Sequence, residues 1–89
     1  MPVVWIPSQL RELTNGQKTL SIEGDTVRQV IENLERTYPG IQERLCDGGR
    51  LRPSISVVVD GYTSTWKLRH RLHESSEVHF VISISGGMA

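Results

Sequence analysis

Apolar and polar residues alternate along this chain with two different periods, and the switches between them mark its elements. Val3-Val4-Trp5-Ile6 is a β-branched and aromatic run closed by Pro7, which predicts a first strand. Ser8 to Leu13 mixes polar and apolar residues and predicts about one helical turn. Asn15-Gly16 is a turn dipeptide, because both residues tolerate positive φ. Lys18-Thr19-Leu20-Ser21-Ile22 then alternates, with Leu20 and Ile22 on one face, as a second, antiparallel strand would.

From Val27 the period changes. Val27, Val30, Ile31, Leu34 and Tyr38 recur at helical spacing, and Arg28, Gln29, Glu32, Asn33, Glu35 and Arg36 fill the other faces. Thr26 with Gln29 three residues on fits a capping box, and Asp25 stands beside the positive helix end. Pro39-Gly40 stops this helix, and Ile41 to Leu45 predicts a second, short one. Cys46 to Gly49 reads as a loop. Ile55 to Val59 is a third strand, closed by Asp60-Gly61, and residues 61–76 read as irregular with Leu68 and Leu72 as core anchors. Val78 to Ile84 is the last strand, with Val78, Phe80, Ile82 and Ile84 facing one way and His79, Val81 and Ser83 the other. Its length and strong alternation predict a central place in the sheet.

This order predicts an α+β fold, a β-grasp with a mixed sheet of four to five strands and one main helix packed across it. The last strand would pair in parallel with the first. The domain is expected over residues 1–85, followed by a flexible Gly-Gly tail with a two-residue extension over residues 86–89.

Length and charge narrow the function classes. A chain of 89 residues holds one domain with one modest core. Ten Lys+Arg balance ten Asp+Glu, which argues against nucleic acid as a partner. The apolar run at residues 3–6 is too short for a signal peptide, and no stretch approaches a membrane span. Cys46 is the single cysteine, so an intrachain disulfide is excluded and a reducing cytoplasm is the expected location.

Candidate catalytic chemistry is sparse. His70, His73 and His79 are the only histidines, and none has metal-ligand spacing with Cys46, so no metal site is expected. Cys46 reads as a small, half-buried hydrophobe. Gly48-Gly49 follows no predicted strand and opens no strong helix, so it reads as a loop and not as a phosphate cradle. Lys67 to Arg71 is locally basic; it is a solvated face or a surface for an acidic partner. Trp66, in the same segment, is either an interface anchor or a cap on the core. Gly86-Gly87 follows the last strand closely. Without side chains it could thread a narrow tunnel and present a carbonyl to another enzyme's active site.

Taken together, these stretches resemble the MoaD/ThiS family of ubiquitin-like sulfur carriers, in its CysO-type branch. The resemblance rests on Ile6-Pro7 with Leu10-Arg11, on Thr14-Asn15-Gly16, on Gly24-Asp25-Thr26-Val27, and on Leu34-Glu35 followed by Tyr38-Pro39-Gly40-Ile41. Arg44-Leu45-Cys46-Asp47 fits the family's R-L-x-D segment, Val57 to Gly61 its third strand and turn, and Leu72 to Val78 the lead into its last strand. Ser75-Ser76 replaces the Gly-Asp that carriers often have there, and Ile84-Ser85 replaces a more apolar approach to the glycines.

The resemblance implies a carrier and not an enzyme. A ubiquitin-activating-type adenylyltransferase, MoeB/ThiF-like, would use ATP to adenylate the carboxylate of Gly87, with Gly86 giving access. A sulfur donor would then displace AMP and leave a thiocarboxylate. No cofactor would be bound by the chain itself; ATP belongs to the activating partner. Met88 and Ala89 follow Gly87, whereas MoaD and ThiS end at the glycines, so a JAMM-type zinc metallopeptidase is expected to remove this extension. In the CysO-type pathway the thiocarboxylate attacks an activated serine derivative on a cysteine-synthase-like enzyme, an S-to-N acyl shift follows, and cysteine is cleaved off. The alternatives are a ubiquitin-like modifier conjugated through Gly87 and a β-grasp binding module without terminal chemistry. The expected partner surface is the outward side of the last strand at Val81, with Trp66, Arg69 and Arg71 nearby.

Overall fold

Local sequence and cap agree at helix α1, Val27–Thr37, in the computed structural model, which describes residues 1–83. The Gln29 backbone N–H donates to Thr26 Oγ1 at 3.2 Å, and the Asp25 N–H donates to Gln29 Oε1 at 2.8 Å. This is the reciprocal capping box, with its return bond one residue before the cap. Val27, Val30, Ile31 and Leu34 are buried along one stripe. Gly24 leads into this turn where no side chain fits, since a Cβ there would lie 2.9 Å from the Val30 backbone nitrogen.

Helix α2, Ile41–Leu45, follows after Tyr38-Pro39-Gly40. Its free N-terminal amides are satisfied from the previous helix. Glu35 accepts from the N–H of Gly40 at 3.0 Å and of Gln42 at 2.9 Å. These backbone donors hold the Glu35 carboxyl below the ordinary glutamate value, Gln42 more than Gly40. A depressed value means stability that is present above the unfolded-state pKa and is lost as pH falls through the folded one. Glu35→Gln is therefore expected to lower the melting temperature at pH 7, and the gap to wild type should close below about pH 4. Thermal melts at several pH values check this; a gap that stays constant down to acid pH would refute the role.

Strands β1 (Val3–Trp5), β2 (Thr19–Ser21), β5 (Ile55–Val59), β6 (Tyr62–Thr63) and β7 (Glu77–Ile82) form one sheet in the order β2-β1-β7-β5-β6. β7 runs parallel to β1, with Val4 opposite Val78, and antiparallel to β5, with Val57 opposite Phe80. Its central place and its parallel pairing with the first strand are as expected. The inward residues Val4, Val57, Val59, Val78 and Phe80 meet the α1 stripe in one core that also takes in Ile6, Leu10, Ile41 and Leu45. Residues 8–14 form a 3₁₀ segment between β1 and β2, longer than one turn, with Asn15 left-handed at its end.

Three further segments differ from the sequence reading. Cys46 to Gly49 is not a plain loop: β3 (Cys46–Asp47) and β4 (Arg50–Leu51) pair as a small hairpin. Gly48 and Gly49 form its turn at φ +63° and +86°, the conformation that two-residue hairpins select. Residues 61–76 are not wholly irregular, since they contain β6 and a 3₁₀ turn at Lys67–Arg69. Both are segments of two or three residues, too short for a periodic pattern to show. The last strand begins at Glu77, one residue earlier than expected. The boundary expected at residue 85 and the tail over 86–89 lie outside the described residues, as does Ile84.

Candidate functional site

The outer sheet face is built by the residues that alternate away from the core. On β1 these are Val3 and Trp5; on β7 they are Glu77, His79 and Val81. Register places His79 between Trp5 on one side and Val58 on the other, and Val81 opposite Ser56. The rings of Trp5 and His79 stack with centroids 4.9 Å apart and planes 9° from parallel. Trp5 is 39% exposed and Val81 48%, so this central strip presents apolar surface to solvent. His79 Nε2 lies 3.9 Å from Glu77 Oε1, an exposed pairing that adds little energy.

One end of this face is fixed by the β5–β6 turn. Asp60 and Gly61 take positive φ, and Asp60 Oδ1 accepts from the Glu77 N–H at 2.8 Å. The Asp60 N–H in turn donates to the Glu77 carbonyl at 2.9 Å. A shallow depression of about 520 Å³ lies here, lined by Val58, Asp60, Gly61, Glu77, His79 and Val81. At the other end β7 closes at Ile82, and the Ser83 N–H donates to the Ser54 carbonyl at 2.7 Å. The described chain therefore ends at the centre of the sheet, at Ser83, four residues before Gly87 in sequence.

Of the residues singled out from sequence, Val81 lies on this face. Trp66 and Arg69 do not join it. They line a second concavity, against α1 and the β3–β4 hairpin, that shares no lining residue with the first. Trp66 is 64% exposed and so does not cap the core. Arg71 stands apart from both, in an isolated bridge to Thr26 at the start of α1. Gly86, Gly87, Met88 and Ala89 lie outside the described residues. Trp5 is a residue that the sequence reading misses. Its parity with Val3, opposite to that of Val4 and Ile6, is the signal that places it outward.

Cys46 and Ser64 serve structure. Burial pushes the Cys46 thiol up, against the opposing charges of Arg28 and Arg52, so it is protonated at neutral pH and is a poor nucleophile. Ser64 Oγ lies 2.7 Å from His70 Nδ1 and accepts the Lys67 N–H at 2.9 Å, which commits this serine to holding a turn. Among the described residues no group of three His, Cys, Asp or Glu side chains could hold a metal ion.

A mixed five-stranded sheet with its last strand parallel to its first, and a helix across one face, is the ubiquitin-like β-grasp; the solved relatives below share it over nearly their whole length. The chain belongs to the ThiS family, whose profile matches residues 4–87. Over 60 residues it is 45% identical to the sulfur carrier protein CysO of Mycobacterium tuberculosis (strain ATCC 25618 / H37Rv). That stretch is 64% of this chain and 64% of the relative, just under two thirds of its length. The crystal structure of the Amycolatopsis orientalis BexX/CysO complex contains a chain that superposes with a TM-score of 0.91 at 27% identity, covering 98% of this chain and 100% of that one. The crystal structure of Mycobacterium tuberculosis CysO, an antigen, superposes with a TM-score of 0.88 at 32% identity, covering 94% of this chain and 100% of that one.

Proposed function

We propose that this chain is a sulfur carrier of the CysO kind, which supplies sulfur for cysteine biosynthesis as a thiocarboxylate at Gly87. The observation that carries this reading is the family match itself, which runs from the first strand to Gly87 and stops there. Similarity to sulfur carrier proteins named CysO supports the pathway. In this reading the chain is a co-substrate and not an enzyme. The reacting atoms are a backbone carboxylate, and no nucleophile, base and orienting group converge among the described side chains.

The chemistry follows from the weakness of a carboxylate as an electrophile. Met88 and Ala89 hold the Gly87 carbonyl in a peptide bond, so hydrolysis by a JAMM-type zinc metallopeptidase comes first. A Gly87 carboxylate oxygen then attacks the α-phosphorus of ATP on a MoeB/ThiF-like enzyme, and pyrophosphate leaves. Hydrosulfide-level sulfur adds to the carbonyl carbon of the resulting acyl adenylate, AMP leaves with the bonding pair, and the thiocarboxylate remains. A cysteine-synthase-like enzyme is the acceptor. ATP and zinc stay with these partners, and the cytoplasm, where ATP and reduced thiols are at hand, is the compartment.

The outer sheet face is the proposed docking surface for the activating enzyme, because β7, the strand that precedes the tail in sequence, carries His79 and Val81 outward beside Trp5. A relative solved as a BexX/CysO complex supports a carrier that works through a protein partner. The test is intact-protein mass spectrometry of the chain purified from its native cells. A species ending at Gly87, part of it with oxygen replaced by sulfur, is the expected result. A mass that always includes Met88 and Ala89 would overturn the reading, and higher-mass conjugates through Gly87 would replace it with a protein modifier.

A further inference from the structure

We propose that the groove between α1, the β3–β4 hairpin and the Lys67–Arg69 turn is a docking site for an acidic peptide segment of a partner protein, separate from the outer sheet face. The groove encloses about 760 Å³, room for a few residues of peptide. Arg28, Arg50, Lys67 and Arg69 line it against one carboxylate, Asp47. The whole chain is formally neutral, so this is a local concentration of cations and not a general excess.

These cations are not spent on the protein's own acids. Among the described residues the only carboxylate with a basic side chain in bonding reach is Glu77, beside His79 on the other surface. Arg28 reaches only the Gly49 carbonyl, at 3.4 Å. Four guanidinium and ammonium groups thus face solvent around one concavity, poised for carboxylates.

The turn that carries two of them is held under strain. Lys67 sits at φ +54°, a left-handed conformation that a non-glycine residue adopts only at an energetic cost. Such a conformation persists only where neighbours enforce it. Here buried Ser64 does so through the Lys67 N–H, and Leu68 is buried against the core. Trp66, next to this turn, stands exposed at the groove's rim as an apolar ring with an N–H donor.

A peptide suits this groove better than a nucleic-acid strand. Single-strand binders track the backbone along a cationic channel and stack successive bases on several aromatics. This groove offers one aromatic ring and has Asp47 in its wall. One bulky apolar side chain on Trp66, flanked by carboxylates on Arg50, Lys67 and Arg69, matches its contents. The inference does not depend on the sulfur-carrier reading.

The test is a ¹H–¹⁵N titration of the full chain with an acetylated, amidated peptide of glutamates around a central leucine. Trp5→Phe assigns the two indole signals. The expected result is a saturable shift of the Trp66 indole N–H with the amides of residues 47–51 and 66–69, weakened by salt. Lys67→Glu with Arg69→Glu, both exposed, should weaken binding about tenfold or more while signal dispersion is unchanged. No shift at the groove, or shifts confined to Trp5 and residues 77–81, would overturn the proposal. So would tighter binding of oligouridylate than of the peptide at the same signals.

Discussion

A chain ending at Gly87, given its activating enzyme and ATP, is expected to exchange pyrophosphate into ATP; the chain retaining Met88 and Ala89 is expected not to. The difference is all-or-none because at Gly87 the reacting group differs in kind, and the extended chain's own carboxylate, on Ala89, lies two residues past the position on which the family match closes. A carboxylate oxygen carries the charge that attacks phosphorus, whereas a peptide carbonyl is neutral and holds its lone-pair density in amide resonance. A chain ending at Gly86 also bears a carboxylate, but one residue short of the position that the family match closes on. It is expected to be inert while its melting temperature stays that of the full chain. Isotope exchange between pyrophosphate and ATP measures the first point and circular dichroism the second. Exchange with the extended chain at the trimmed chain's rate would sink the requirement for processing.

Leu34→Ala is expected to remove a large part of the fold's stability. Leu34 is fully buried on α1, against the inward residues of the sheet. Truncating a buried leucine costs roughly 2–5 kcal/mol, from lost transfer energy and the cavity left behind. A domain of this length has only about 4–13 kcal/mol in hand. With a urea slope near 1 kcal/mol per molar, the unfolding midpoint should drop by about 2 M or more. Val81→Ala, at an exposed position on the outer face, should move it by no more than about 0.5 M. Equal shifts for the two variants would contradict the division between core and outer sheet face.

The candidate site was only partly legible. Val81 was named outward, and β7 shows it outward, because strand parity is a local property. Grouping Val81 with Trp66, Arg69 and Arg71 assumed that closeness in sequence meant one surface. The Lys67–Arg69 turn instead packs on α1 and the β3–β4 hairpin, away from β7. Trp5 joined the face only through its pairing with a strand more than seventy residues later, where it meets His79. Arg28 and Arg50 come to Lys67 by the same kind of long-range closure.

By itself the sequence determined what is set within a few residues. It placed α1 and its Thr26–Gln29 cap, the stripe from Val27 to Leu34, and the alternation of β7. The reason is that helix periodicity, capping and strand parity are fixed by neighbours one to four positions away. Tertiary structure alone decided the two-residue strands β3, β4 and β6, the left-handed Lys67, and the split of one expected surface into two. The bonds that hold these segments are themselves local, the ladder of Tyr62–Thr63 to Val58–Val59 and the clasp of Ser64 on Lys67 and His70, but each rests on a body closed by long-range packing, β5 on β7 and Leu68 on the core. Segments that short cannot meet their conformational entropy cost from local bonds, so their form appears only once the sheet and helix have closed around them.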